Sequence, residues 1–157
     1  MGEQLIKVAT ESKDIKYTLL FPQVEGLLTG EEDMIANMAN MVAALKEVMG
    51  FFWVGFYLVK GEQLVLGPFQ GPIACTRIPK GRGVCGVSWE KSETLVVPNV
   101  DEFDGHIACS ALTKSEIVIP VKRSASVIAV LDVDSARMNE FDEVDRKWLE
   151  KFVALLG

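Results

Sequence analysis

Three cysteines, Cys75, Cys85 and Cys109, and a single histidine, His106, carry most of the reactive chemistry available to this chain. Cys75 lies two residues before Arg77, Cys85 sits within Gly81-Arg-Gly-Val-Cys-Gly86 at an expected helix start, and Cys109 follows the Gly105-His106 pair. Cations and helix N-termini favour the thiolate, the nucleophilic form of cysteine, so each thiol has a neighbour that could activate it. The bland alternative for any one of them is burial as a small apolar residue. Zinc is a further alternative, since His106 and the three thiols make a tetrahedral count. No C-x2-C pair is present, however, and structural zinc sites commonly use one. The expectation is redox chemistry with no metal.

Carboxylates supply the second ingredient. Asp132 and Asp134 are two apart, so on a strand both project from one face while Leu131 and Val133 project from the other. Like charges on one face are unfavourable unless a cation or an acidic proton relieves them. A ligand ammonium would do so; the alternative is that the pair caps the following turn. A calcium loop starting at Asp132 fails, because Ala136 and Arg137 stand where an oxygen ligand and a glycine are needed. Glu116 lies at the exit of the irregular stretch that carries His106 and Cys109. Trp53 and Tyr57, four apart on a strand, share a face and could form an apolar slot for a methyl or thioether group, although such aromatics more often serve the core.

Thiols, carboxylates beside a loop and an aromatic slot are together what a sulfoxide with an amino-acid head group requires. A thiolate attacks the sulfur, an acid protonates the oxygen, and the carboxylates hold the ammonium. The attacking cysteine becomes a sulfenic acid, and a second cysteine condenses with it to a disulfide. An external dithiol restores both thiols by exchange. The residues alone leave open which thiol attacks.

The elements that must position these groups can be read from periodicity. Tyr17, Leu20, Val24 and Leu27 give residues 14–28 a helical repeat, with Pro22 expected to kink or restart it. Thr29-Gly-Glu-Glu32 reads as a capping box for a second helix that buries Met34, Ile35, Met38, Met41, Val42, Leu45 and Val48 and ends at Gly50. Residues 51–59 are aromatic and β-branched, and a turn at Lys60-Gly61-Glu62 returns the chain as a second strand from Gln63 to Leu66. A short strand at 74–78, a glycine-rich loop, a helix at 84–91 and strands at 94–97, 116–121 and 126–132 follow. A last helix capped by Asn139 carries Phe141, Val144, Trp148, Leu149 and Phe152 on one face. This order predicts one α+β domain over residues 1–157, with a mainly antiparallel sheet of about six strands flanked by N- and C-terminal helices. Leu95 to Glu116 has little periodicity. A loop of that length is uncommon in a compact domain unless it is functional, and it could fold over the sheet as a lid. Gly81, Gly83 and Gly86 spell G-x-G-x-x-G, but the polar segment from Thr76 to Lys80 is not the buried strand that a dinucleotide site needs. Tight turning is their expected role.

Bulk properties narrow the class. A chain of 157 residues, 49% of them hydrophobic, can build a core without cross-links. A net charge of -6, with no basic run longer than Lys122-Arg123, argues against binding nucleic acid, which needs a basic face. No apolar stretch approaches the roughly 18 residues of a membrane span. The first ten residues lack the charged and then apolar pattern of an export leader. A cytoplasmic location is expected, where thiols stay reduced.

Taken in order, Trp53-Val-Gly-Phe-Tyr57, Gly67-Pro-Phe-Gln-Gly71, Ala74-Cys75, Gly81-Arg-Gly-Val-Cys-Gly86, Gly105-His-Ile-Ala-Cys109, Ser115-Glu-Ile-Val118 and Leu131-Asp-Val-Asp-Ser135 resemble the free methionine-R-sulfoxide reductases. These are enzymes of the GAF fold, and the resemblance runs from about Tyr17 to Trp148. It implies reduction of the R epimer of free methionine sulfoxide, no bound cofactor, thioredoxin or another dithiol as external reductant, and a homodimer. It implies Cys109 as the attacking cysteine, Cys75 as its resolving partner and Cys85 as a helper in disulfide exchange, with Cys85 the alternative attacker. It also implies that Glu116, Asp132 and Asp134 bind substrate and assist proton transfer, and that Trp53 and Tyr57 receive the methyl end. Ser110 and Asp104 depart from the family pattern, which has Asp after the cysteine and Pro before the Gly-His pair. The rival reading is a non-catalytic GAF sensor of a small molecule such as a cyclic nucleotide, in which the cysteines could become serine without consequence.

Overall fold

Alternation along the strands gives one sheet two buried faces; three helices cover one of them, and a short helix and loops cover the other. The computed structural model describes residues 4–157; Met1–Glu3, part of the stretch read as lacking an export leader, lie outside the described residues. The elements are α1 (Lys13–Leu28), α2 (Met34–Met49), β1 (Trp53–Lys60), β2 (Gln63–Gln70), β3 (Arg77–Pro79), α3 (Gly83–Lys91), β4 (Leu95–Val97), β5 (Ser115–Arg123), β6 (Ser126–Ser135) and α4 (Glu143–Ala154), with a 3-10 turn at Val100–Glu102. All strand pairs are antiparallel, in the order β3-β2-β1-β6-β5-β4. The expected α+β architecture with six strands is therefore present.

Val54 and Phe56 of β1, Ile117, Ile119 and Val121 of β5, and Ala129, Leu131 and Val133 of β6 pack with α1, α2 and α4 in the larger core. The intervening residues Trp53, Tyr57, Val118 and Val130 point the other way and join Val84, Cys85 and Trp89 of α3 together with Val97 and Val100. Period-two geometry thus decides which side chains can reach a ligand. One buried charge locks the helical layer. Asp145 accepts from Tyr17 Oη at 2.6 Å, Lys13 Nζ at 2.6 Å and the Asp142 amide at 3.0 Å, so both oxygens of a fully buried carboxylate are partnered, as burial demands.

Several expected boundaries move. Pro22 neither ends nor restarts α1, which runs through it; burial of Tyr17, Leu20, Val24 and Leu28 against the core outweighs the missing N–H. Leu28 rather than Leu27 completes that stripe. Thr29 is the C-terminal cap of α1, and α2 is capped by Asp33, whose side chain accepts from the Ala36 amide. Ile35, expected inside, is 49% exposed. Asn139 adopts a left-handed conformation, φ 53°, and its amide donates to the Pro98 carbonyl. Asp142 caps α4 instead, in a reciprocal capping box with Asp145. The strand expected at 74–78 is displaced to Arg77–Pro79, and Cys75 lies just before it in a disulfide. The strand expected to stop at Asp132 continues to Ser135, so Asp134 is a strand residue and not a turn cap.

Candidate active site

The carboxylates come together through strand register. Across β5 and β6, Glu116 faces Asp134 and Val118 faces Asp132; across β6 and β1, Asp134 faces Trp53 and Asp132 faces Gly55. Directly opposed side chains share a face, so two aspartates in β6, one glutamate in β5 and the β1 aromatics project into one region beneath α3. Trp53, Tyr57, Cys85, His106, Cys109, Glu116, Asp132 and Asp134 all line a single cavity there.

Gly55 is what lets the aromatic wall form. A Cβ at this position would stand 2.6 Å from Trp53 Cη2 and would also collide with Phe69. The Trp53 ring stacks on Phe69, with centroids 5.3 Å apart, and on Tyr57 at 6.0 Å, while its Nε1 donates to the Pro72 carbonyl at 2.9 Å. Sequence reasoning missed both Gly55 and Phe69. A glycine inside an otherwise aromatic strand marks a close approach and could have found the first.

The sulfur chemistry is divided. Cys75 and Cys109 form a disulfide with Cα atoms 5.4 Å apart across a sequence separation of 34. It ties the β2–β3 connection to the irregular segment before β5. That segment is seated on α3: the Gly83 amide donates to the Gly105 carbonyl at 3.2 Å, and a Cβ on Gly83 would lie 3.2 Å from Ile107 Cδ1. The lid expected between Leu95 and Glu116 is thus irregular from Phe103 to Lys114, after β4 and the 3-10 turn. Tyr57 Oη donates to the Cys75 carbonyl at 2.9 Å, anchoring the other half of the bridge. Arg77, expected to activate Cys75, is exposed and turns to Gln63 Oε1 at 3.3 Å.

Cys85 is the free thiol, 3% exposed, with Sγ 4.0 Å from Glu116 Oε2. The surroundings of Cys85 run against the thiolate expected from its helix start. Burial pushes the Cys85 thiol well up, and the charges of Asp132, Glu116 and Asp134 push it further. The G-x-G-x-x-G run does what the sequence implied: the Gly81 amide donates to the Gly86 carbonyl at 3.0 Å, and a Cβ on Gly86 would meet the Pro79 carbonyl at 2.5 Å. This tight packing sets Cys85 over the sheet.

The acids are held uncomfortably. Burial raises Glu116 well above the usual carboxylate range, helped by the neighbouring charge of Asp134. Burial and Glu116 raise Asp132 in the same way, and burial and Asp132 raise Asp134. Asp132 Oδ1 and Asp134 Oδ1 are buried without a hydrogen-bond partner. His106 Nε2 stands 3.6 Å from Glu116 Oε1, and burial lowers its pKa against an opposing pull from Asp101. Such a pocket combines carboxyl groups that hold their protons to higher pH than ordinary carboxylates with buried acceptor oxygens that a cation could meet.

A family model described as a GAF domain matches residues 31–157, which gives the class to which this sheet and its ligand-facing side belong. GAF domain-containing protein A of Dictyostelium discoideum is 59% identical over 157 residues, covering 99% of this chain and 99% of that protein. The free methionine-R-sulfoxide reductase of Escherichia coli (strain K12) is 44% identical over 141 residues, covering 89% of this chain and 86% of that enzyme. The X-ray structure of free methionine-R-sulfoxide reductase from Neisseria meningitidis, in complex with its substrate, superposes with a TM-score of 0.95 at 49% identity, covering 98% of this chain and 92% of that one. The chain belongs to the free methionine-R-sulfoxide reductase family, oxidoreductases built on a GAF domain. No helix among the described residues is long and apolar enough to cross a membrane.

Proposed function

We propose that this protein, acting as one domain over residues 1–157, reduces free methionine (R)-sulfoxide to methionine in a dithiol–disulfide cycle. The observation that carries the reading is the Cys75–Cys109 disulfide at a cavity lined by buried acids and a stacked aromatic wall. The substrate ammonium is held by the partnerless oxygens of Asp132 and Asp134, and its methyl end lies against Trp53 and Tyr57. Cys109 attacks the sulfoxide sulfur as the thiolate, and a carboxyl of the Glu116 cluster delivers a proton to the oxygen. The oxygen then passes from the substrate sulfur to Cys109 Sγ: the sulfoxide S–O bond and the transient bond between the two sulfurs break, an S–O bond to Cys109 forms, and methionine leaves with Cys109 as the sulfenic acid. The Cys75 thiol displaces water from that sulfenic acid, giving the disulfide. An external dithiol, thioredoxin in our reading, then reduces the bridge by exchange and leaves as its own disulfide. Attack by Cys109 rather than Cys85 is favoured because Cys85 lies outside the bridge and its thiolate is disfavoured among the acids. Cys85 is assigned the helper role in exchange. The cycle is placed in the cytoplasm, where such reductants are found, and in a homodimer.

Separated R and S epimers, supplied with a dithiol, test the reading through methionine released. The R epimer should turn over and the S epimer should not; inertness of both ends the proposal. Cys109→Ser should release no methionine even in the first turnover. Cys75→Ser should release about one equivalent and stop as a trappable sulfenic acid. If Cys85→Ser instead abolishes the first turnover while Cys109→Ser permits it, the attacking role passes to Cys85.

A further inference from the structure

We propose that the pocket floor is also a binding site for a thiophilic divalent cation such as zinc, held by Cys85, Glu116 and Asp132. The cysteine sulfur and one oxygen from each carboxylate lie within 4.8 Å of one another, and all three residues are buried. Metal–sulfur and metal–oxygen bonds of about 2.3 and 2.0–2.2 Å would set tetrahedral ligand atoms about 3.5 Å apart. The 4.0 Å between Cys85 Sγ and Glu116 Oε2 needs only a small contraction to meet this.

An independent observation points to a ligand. Asp132 is only 6% exposed, yet its Oδ1 has no hydrogen-bond partner. A buried acceptor in that condition is costly unless something positive meets it. The donors also stand on regular elements: Asp132 and Glu116 on paired strands β6 and β5, and Cys85 in α3 behind the Gly81–Gly86 turn. One sulfur with two carboxylates suits zinc, cobalt or cadmium, whereas magnesium and calcium take oxygen ligands. Three protein ligands leave a fourth position for water. The set differs from the His106-and-three-cysteine combination weighed on the sequence, because Cys75 and Cys109 are bonded to each other. Cys85 stays available when the protein is oxidised. On binding, the Cys85 proton and any proton held by Glu116 or Asp132 pass to solvent. The ion and a substrate ammonium would claim the same carboxylates, so the cation acts as a reversible competitor of substrate.

The test uses the full chain with its disulfide intact and cobalt(II) as the probe. Titration should give one equivalent of bound cobalt with a near-ultraviolet thiolate-to-cobalt band, which zinc discharges stoichiometrically. Cys85→Ser should lose the band, and Asp132→Asn should weaken cobalt binding by at least about tenfold. Absence of the band in the unaltered protein, or its survival in Cys85→Ser, overturns the site. Since the readout is binding to oxidised protein, it does not depend on turnover, and failure of the reductase reading would register separately in the epimer assay.

Discussion

At the scale of single residues the site trades stability for binding. Glu116, Asp132 and Asp134 hold their protons to higher pH when folded than when unfolded. Their contribution to stability is therefore complete below the ordinary carboxylate range near about pH 4. It is lost as pH rises through the raised values. Asp132→Asn should accordingly match the unaltered protein in stability at acid pH and exceed it at pH 8. A relief of about 1 kcal/mol corresponds to a Tm gain of about 2–4 °C. The same substitution should weaken sulfoxide binding. Thermal unfolding across pH checks this, and a stability difference that does not vary with pH would contradict it. Tyr57 acts through a different bond. Tyr57→Phe removes the hydroxyl that donates to the Cys75 carbonyl, worth about 1 kcal/mol. The Cys75 loop should then be less well placed to resolve the sulfenic acid. Rapid-quench trapping should find more sulfenic acid in Tyr57→Phe than in the unaltered protein, with the yield of the first methionine preserved.

At the scale of elements, β1 matters most for substrate shape. Its pairing with β2 shifts register between Gly55 and Tyr57, and its pairing with β6 puts Gly55 beside Asp132. Gly55→Ala should push the indole of Trp53 off Phe69, since the added Cβ has no room. Overpacking of this kind costs about 1–3 kcal/mol. The expected result is a lower Tm together with a raised KM for the sulfoxide; an unchanged KM would mean that the Trp53 wall does not touch substrate. The helices carry less of the chemistry but fix its frame. The Asp145 bonds to Tyr17 and Lys13 join the first helix among the described residues to the last, so the two helices that back the sheet are tied to each other.

On the scale of the whole molecule, the disulfide connects two loops that nothing in the sheet obliges to meet. Closing a separation of 34 residues is worth roughly 3–4 kcal/mol of chain entropy. Reduction should lower Tm by roughly 5–15 °C. The Tm of Cys75→Ser should be insensitive to reductant and lie near that of the reduced protein, as differential scanning of both proteins with and without a dithiol would show.

Periodicity is a local property, and what it controls was legible in the residues alone. The order of elements, the shared face of Asp132 and Asp134, and that of Trp53 and Tyr57 all follow from side-chain alternation. Caps were less legible because several residues of similar hydrogen-bonding chemistry compete within a few positions: Asp33 and Asp142 took roles that Thr29 and Asn139 could equally have filled. The fate of Pro22 depended on packing partners far along the chain. Tertiary structure alone decided the environment of Cys85. Its local neighbours, glycines and Arg82 at a helix start, favour a thiolate. Burial against carboxylates delivered by β5 and β6 favours the thiol, and the second effect prevails because charge in a desolvated pocket is governed by what surrounds it in space.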